Sequence, residues 1–487
     1  MTRLESPPDI AHLSVSEKDA LLLAQWEEIQ RLRARLKELE GQLKKDSRTS
    51  DKAPSSDGPK APKRTRSQRK KSGRKVGGQP GHEYQGLAPV EQPDQIVLSE
   101  PSQCQSCGED LTAVAPGGYD RRQVFDLPPL QLQVTEHRSV CKGCPVCGQL
   151  SWGAYPEGVN ARVQYGPRVQ ALSVYLSDYQ LLPYQRQREL FGDLFGHELS
   201  VGTLQQAKVR CTRGLVPVVE AVRRALLEAP VVHFDESGLR VGGQRPWLHV
   251  SSTASLTYYQ VHAQRGCQAH EAIGLLPVFQ GCAVHDSYRS YLTYEHCAHS
   301  LCNAHHLREL TFMHEHHEQA WASEMIGCLL EIKGAVAEAK ERGATALPAP
   351  QLEAFETRYQ QLLDQALEQI PALPPPETPR RGRKKQHPAK NLHDRLRTYQ
   401  TAVLAFMYDF AVPFDNNQAE RDIRMLKVQQ KISGGFRTLQ GAQRFCAIRS
   451  YISTVRKQGL KVIDALQQVF AGQPWMPGQT AVAFNSS

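Results

Sequence analysis

Three carboxylates stand where metal-dependent chemistry could be done. Asp235 closes a short β-rich run at 230–235, and Asp286 closes another at 281–286. Two carboxylates at the ends of neighbouring strands make a hard, oxygen-rich site suited to Mg2+ or Mn2+. A third acid from a helix would complete a two-metal site for in-line phosphodiester chemistry, in which attacking and leaving oxygens both need stabilisation. Glu420 is the candidate, in the first turns of a helix expected over 416–430 with Asp415 as N-cap and Gly434-Gly435 as its stop. Arg424, Lys427 and Lys431 share its face at helical spacing, and Arg421 adjoins them. The competing readings are turn acids at strand ends, and a surface i,i+4 pair of Glu420 with Arg424.

The cysteines offer a second, softer chemistry. Cys104-Gln105-Ser106-Cys107-Gly108 and Cys144-Pro145-Val146-Cys147-Gly148 are two CxxCG knuckles. Two thiolates from each give the four tetrahedral ligands that structural Zn2+ prefers, and the glycine permits a tight turn that aims backbone N–H groups at sulfur. Cys141 forms a competing CxxC with Cys144; no glycine follows that pair, which marks Cys141 as the spare. The alternative is a set of reduced bystander thiols. His296, Cys297, His299, Cys302, His305 and His306 lack knuckle spacing and read as core thiols and polar helix residues rather than a further metal cluster.

Elements must position these residues. Leu22, Ile29, Leu36 and Leu43 fall seven apart, with Leu32 and Leu39 on the second seam, so 14–46 reads as a coiled-coil helix. Residues 162–228 are helical in pattern. One helix starts after Pro183, Ser200 is an N-cap for the next, and two short helices across a tight turn fit a helix-turn-helix. From residue 229 a β pattern sets in: 230–235, 239–241, a Gly242-Gly243 turn, 247–251 and 256–262 form an antiparallel meander. A helix at 270–276 and a strand at 281–286 follow. That order can set the first and fourth strands side by side. Helices resume over 303–370 and from 391, around a basic, proline-rich linker at 371–390.

The chain has 487 residues, 40% hydrophobic and 22% charged, ordinary globular composition with room for about three domains. No run of about 18 apolar residues occurs, which excludes a membrane-spanning helix, and the first residues lack the apolar core of a signal peptide. A cytoplasmic protein with reduced thiols is expected. The net charge of +9 is unevenly placed: nine Lys/Arg and no acid lie between Lys60 and Lys75, including Lys63, Arg64, Arg66, Arg69, Lys70, Lys71, Arg74 and Lys75. Residues 47–82 have no hydrophobic periodicity and read as a disordered basic arm for a polyanion, nucleic acid above all.

Several segments together resemble the transposases of the insertion sequence 66 family: GGQPGH (77–82), the two knuckles, YGPRVQALSVYLSDYQLLPYQR (165–186), HFDESGLRV (233–241), PWLHV (246–250), VHDSYRSY (284–291), CNAHHLREL (302–310), PFDNNQAERDIRMLKVQQKISGGFR (413–437) and FAGQPW (470–475). The resemblance implies an α/β protein of the DDE type, with a ribonuclease-H-like mixed-sheet core over 229–310 and 411–455. Its acids would be Asp235, Asp286 and Glu420, holding Mg2+ or Mn2+. A helical insertion over 311–410 would interrupt the core, and 456–487 would be a C-terminal tail. A coiled-coil helix, a zinc module at 101–150 with ligands Cys104, Cys107, Cys144 and Cys147, and a helix-turn-helix-like domain at 162–228 would precede it. Arg421, Arg424, Lys427 and Lys431 would hold phosphates. The implied partners are element ends and target DNA, further copies of the chain and accessory proteins of the same element, in the bacterial nucleoid. The competing functions are a non-enzymatic zinc-containing DNA-binding regulator and a nuclease without strand transfer.

Overall fold

The computed structural model of the protein describes residues 14–43, 86–371 and 386–479. The basic arm, with Lys63, Arg64, Arg66, Arg69, Lys70, Lys71, Arg74 and Lys75, lies outside the described residues. So do 44–46 of the first helix, 372–385 of the second linker and 480–487. The described residues divide into two compact units, one of 86–153 with 191–197, the other of 14–43, 154–190, 198–371 and 386–479.

In the first helix, α1 (Val15–Leu43), Ser14 Oγ accepts from the Glu17 N–H at 3.3 Å and Glu17 reaches back to the Ser14 N–H at 2.8 Å, a reciprocal cap. Leu22, Trp26, Ile29, Leu32 and Leu36 are all exposed, as an unpartnered heptad seam would be. Among its described residues the smaller unit carries one short hairpin, β1 (Cys141–Gly143) with β2 (Leu150–Trp152).

The larger unit contains α1 and, after 154, α2 (Pro167–Val174), which continues as a π-helical turn through Tyr179. Asp178 in that turn is fully buried and pairs with Lys208 at 2.9 Å. Next along the chain come α3 (Tyr184–Phe195), whose residues 191–195 are counted with the smaller unit, and α4 (Val201–Leu227). Ser200 caps α4 as expected, its side chain accepting from the Thr203 N–H. The second helix is nevertheless not short. At 27 residues it runs on as a core helix, burying Cys211, Leu215 and Val218 against α13 (Leu439–Lys457) and α14 (Val462–Phe470). Thus α14 packs in the core within the stretch read as tail, and 198–228 shares a unit with the sheet that follows.

That sheet has five strands: β3 (Val231–Gly238), β4 (Trp247–Ser252), β5 (Thr257–His262), β6 (Cys282–His285) and β7 (Ala298–Leu301), in the order β5-β4-β3-β6-β7. The first three pair antiparallel; β6 joins β3 in parallel, and β7 joins β6 in parallel. The first and fourth strands are therefore neighbours, as the order of elements allowed. Within 239–241 only Val241 forms isolated bridges, to Gln244 and Phe436, rather than a strand, and β7 arises in a segment read only for its His and Cys residues. The connection from β5 to β6 contains α5 (Cys267–Ile273), and α6 (Asn303–His317) follows β7.

Beyond α6, the helices α7 (Ala320–Glu341), α8 (Ala349–Gln369), α9 (Pro388–Thr398), α10 (Gln400–Val403) and α11 (Ala405–Tyr408) build an apolar cluster around Trp321, Met325, Leu329, Tyr359 and Leu396. They interrupt the sheet unit before α12 (Asn417–Ser433) returns to pack on β3 and β4, with α13 along β5.

Candidate active site

Strand alternation fixes the starting geometry. Along β3, Val232, Phe234 and Glu236 share one face, and Val231, His233 and Asp235 share the other. Pro230 carbonyl accepts from Cys282 N–H at 2.8 Å where β6 begins. A side chain at Gly281 would meet the Pro230 oxygen at 2.6 Å, so glycine is what lets the two strands start side by side. The parallel register pairs His233 with Val284. Continued two residues, it sets Asp235 opposite Asp286, the first residue past β6.

Each aspartate is held by local backbone. Asp235 Oδ1 accepts from the Glu236 N–H at 2.8 Å, and Asp286 Oδ1 from the Tyr288 N–H at 2.9 Å. One asparagine brings in the helix. Asn416, the N-cap of α12, donates its amide to the Phe234 carbonyl at 2.7 Å, shares a 2.8 Å hydrogen bond with His233 Nδ1, and gives its backbone N–H to Cys302 Sγ at 3.1 Å. The cap residue is Asn416 rather than Asp415, whose carboxylate accepts from the Asn417 N–H instead. Gly434 ends the helix as expected.

Anchored this way, α12 carries Glu420 to the aspartates. The Asp235 carboxyl is pushed well above its ordinary value, first by burial, then by the charges of Glu236, Asp286 and Glu420. A carboxyl so crowded favours its neutral form unless a cation joins it. Asp286 and Glu420 thus lie near enough for their charges to act on Asp235, but among the described residues the three carboxylates do not draw within 4.8 Å of one another as a set; all-oxygen donors of this kind are those that Mg2+ or Mn2+ takes. Lys427, two turns along α12, is partly buried. Burial lowers its pKa and the opposing pull of Asp235 raises it. Arg421, Arg424 and Lys431 lie exposed on the same helix. Asp422 is turned to other work, accepting from Lys457 Nζ at 2.7 Å and tying α12 to α13.

Two features escaped the sequence reading. The first lies behind Asp235. Glu236, its side chain 1% exposed, takes Arg265 Nε and Nη2 on one oxygen, each at 2.6 Å, and the Tyr291 hydroxyl on the other. Arg265 lies over the Tyr288 ring at 3.8 Å and places Nη2 3.8 Å from Asp286. The signal was a glutamate at the third inward position of β3, after Val232 and Phe234. A histidine layer packs alongside: His270 stacks on Tyr291 at 4.8 Å, as does His285 at 4.6 Å. Burial lowers His270 to about 4 and His285 to about 3.

The second concerns the His and Cys residues of 296–306. Most serve the core as read: His299 shares a 2.9 Å hydrogen bond with His285, and His306 one of 3.1 Å with Asn303. Cys302 and His305 do not. With Glu420 they form the one group of three potential metal ligands found among the described residues, all within 4.8 Å of one another. His305 Nδ1 and Arg308 Nη2 each lie 3.8 Å from Glu420 Oε1.

The two knuckles share one geometry. Gly108 N–H and Gly148 N–H donate to the Cys104 and Cys144 carbonyls, both at 2.9 Å; the Cys104 and Cys144 N–H groups donate to Glu109 and Gln149. Gly108 and Gly148 sit at φ of 77° and 72°, left-handed values that suit glycine. Hydrogen bonds from backbone N–H groups, at Cys107 and Ser106 and at Cys147 and Val146, lower the Cys104 and Cys144 thiols. Such donors stabilise the thiolates that zinc needs. Cys141 sits instead on β1, before the turn. Cys107 lies beside Cys104 and Cys147 beside Cys144, while the four thiols do not close into one group among the described residues.

No helix is long and apolar enough to cross a membrane among the described residues. Residues 162–444 match the model described as Transposase IS66 family, and 101–148 match the zinc-finger binding domain of transposase IS66. Residues 5–88 match a family of unknown function. No curated protein matches the chain.

Proposed function

The chain belongs to the IS66 family of transposases, and from that premise we propose that it binds the terminal inverted repeats of its own mobile element, cuts DNA there and joins the freed ends to a target. The observation that carries this reading is the crowding of Asp235 by Asp286 and Glu420, three carboxylates from two parallel strands and a returning helix. The strand order, with β3 at the centre, supports a ribonuclease-H-like core of the DDE type.

Asp235, Asp286 and Glu420 would hold two Mg2+ or Mn2+ ions, which when bound supply an activated water and stabilise the attacking and leaving oxygens. The chain's own residues set the geometry. Asn416 fixes the helix that carries Glu420 to the strands that carry the aspartates, and Tyr288 N–H orients Asp286. Lys427 stands beside Asp235 as a cation for a phosphate close to the acids. Arg421, Arg424 and Lys431 extend that line for the DNA backbone, where such contacts position the duplex without reading sequence. Strand cleavage leaves a 3′-OH at the element end; the same site then directs that hydroxyl onto a target phosphodiester, whose own broken bond balances the new one.

Other parts take supporting roles. The basic arm adds affinity that is independent of sequence and sensitive to salt. Cys104, Cys107, Cys144 and Cys147 would hold one structural Zn2+. The first turns of α4, where Val201, Gln205 and Gln206 are exposed behind the Ser200 cap, would read the major groove in a helix-turn-helix manner. The exposed seam of α1 would pair two copies, and with them two element ends.

The test supplies labelled element ends and target DNA with Mg2+. The wild type should yield joined product, and Asp286→Ala should bind ends without cutting or joining. Cut product alone would reduce the protein to a nuclease. Binding without product in both would leave a regulator.

A further inference from the structure

Cys302 is the N-cap of α6 and His305 lies three residues on, so the two share one side of its first turn. Their ligand atoms and a Glu420 oxygen lie within 4.8 Å of one another. The thiol is 1% exposed and fixed by the Asn416 N–H, the same residue that anchors α12. Glu420 Oε1 is buried and accepts no hydrogen bond, which is costly for a carboxylate oxygen unless a cation approaches it. Arg308 Nη2 at 3.8 Å supplies charge but stands too far to donate.

We propose that Cys302, His305 and Glu420 form a separate site for a single Zn2+-class cation, with the fourth position open. One sulfur, one imidazole nitrogen and one carboxylate oxygen are the mixed donor set that tetrahedral zinc or cobalt takes and that Mg2+ avoids. Ligand atoms around such an ion sit roughly 3.5 Å apart, so side-chain rotation is enough to close the set. On binding, the Cys302 S–H bond breaks, the proton passes to solvent, and the sulfur pair forms the bond to the metal; no oxidant or reductant is involved.

The consequence rests on the proposed function. A Glu420 carboxylate bound through one oxygen to a thiolate-held zinc gives up charge and reach to the all-oxygen site with Asp235 and Asp286. Zinc held by Cys302 therefore withdraws the third acid and suppresses Mg2+-dependent cleavage.

The experiment uses the full chain saturated with Zn2+ and counted by elemental analysis, then the Co2+-loaded form read for thiolate-to-cobalt charge transfer. The wild type should hold one equivalent more than Cys302→Ser or Glu420→Gln, and Asp235→Asn should keep it. The cobalt spectrum of wild type minus Cys302→Ser should be that of one tetrahedral thiolate site. His305→Ala, at a partly exposed position, should weaken that equivalent at least tenfold and covers the case in which Cys302→Ser fails to fold. Equal counts and superimposable spectra across wild type, Cys302→Ser, Glu420→Gln and His305→Ala would overturn the site. Added zinc should also slow Mg2+-driven cleavage by the wild type, and slow Cys302→Ser less, each relative to its own zinc-free rate. An extra equivalent with no cleavage by the wild type would keep this site and defeat the transposase mechanism; cleavage with no extra equivalent would do the reverse.

Discussion

Removing Arg265 should unfold the sheet unit more readily than removing any exposed basic residue of α12. Arg265 places two nitrogens 2.6 Å from one oxygen of Glu236, whose side chain is 1% exposed. At that separation an effective dielectric of about 20 gives an attraction of about 6 kcal/mol, before the cost of desolvating the guanidinium. Arg265→Ala leaves the glutamate buried with only the Tyr291 hydroxyl, and breaking such a pair from one side costs about 3–5 kcal/mol. Glu236→Gln removes the stranded charge, so the double variant should recover most of the loss. Urea unfolding of the four proteins, followed by far-ultraviolet ellipticity, gives the coupling energy. A loss below about 1 kcal/mol for Arg265→Ala with no coupling to Glu236→Gln would refute the reasoning, because it would mean that Glu236 does not depend on Arg265 for its charge.

Three more predictions follow from the same structure. Asp235 is crowded by like charge, so Asp235→Asn should stabilise the fold at neutral pH by about 0.5–2 kcal/mol in metal-free buffer while abolishing cleavage; no gain in unfolding midpoint would contradict the crowding. His270 is buried and lowered to about 4, with neither ring nitrogen hydrogen-bonded. Its stability contribution is intact above about pH 6.5 and lost towards pH 4, as the unfolded ring takes up a proton first. His270→Phe should therefore remove about 1.4 kcal/mol per pH unit of acid sensitivity in that window, measured by unfolding at pH 7, 6 and 5. Cys144→Ser should lose the knuckle zinc and Cys141→Ser should keep it, as metal analysis of protein purified without added zinc will show.

Much of the site could be read from the sequence because its parts are local. An aspartate just past a β-rich run and a glutamate early in a capped helix are visible in short windows, and the strand–strand–strand–helix–strand order constrains which strands meet; Asp235, read as the end of its run, instead lies inside β3, which continues to Gly238. What escaped depends on partners distant in sequence. Glu236 looked like a neighbour of Asp235 until Arg265 and Tyr291 closed around it from other elements. Cys302 and His305 came beside Glu420 only when α12 returned across the helical insertion. The length of α4 was missed for a related reason: its apolar face is buried by α13 and α14, which lie more than two hundred residues later. Pro217 lies inside this helix, which continues past it.

The central claim is that Asp235, Asp286 and Glu420 are ligands of one catalytic metal site, and a change of ligand chemistry tests it most directly. Asp286→Cys should cut and join element ends poorly in Mg2+, which disfavours a thiolate, and recover activity in Mn2+, which accepts one more readily. Full activity of Asp286→Cys in Mg2+ would contradict the account, since a carboxylate that can be exchanged for a thiol without loss is not holding the metal.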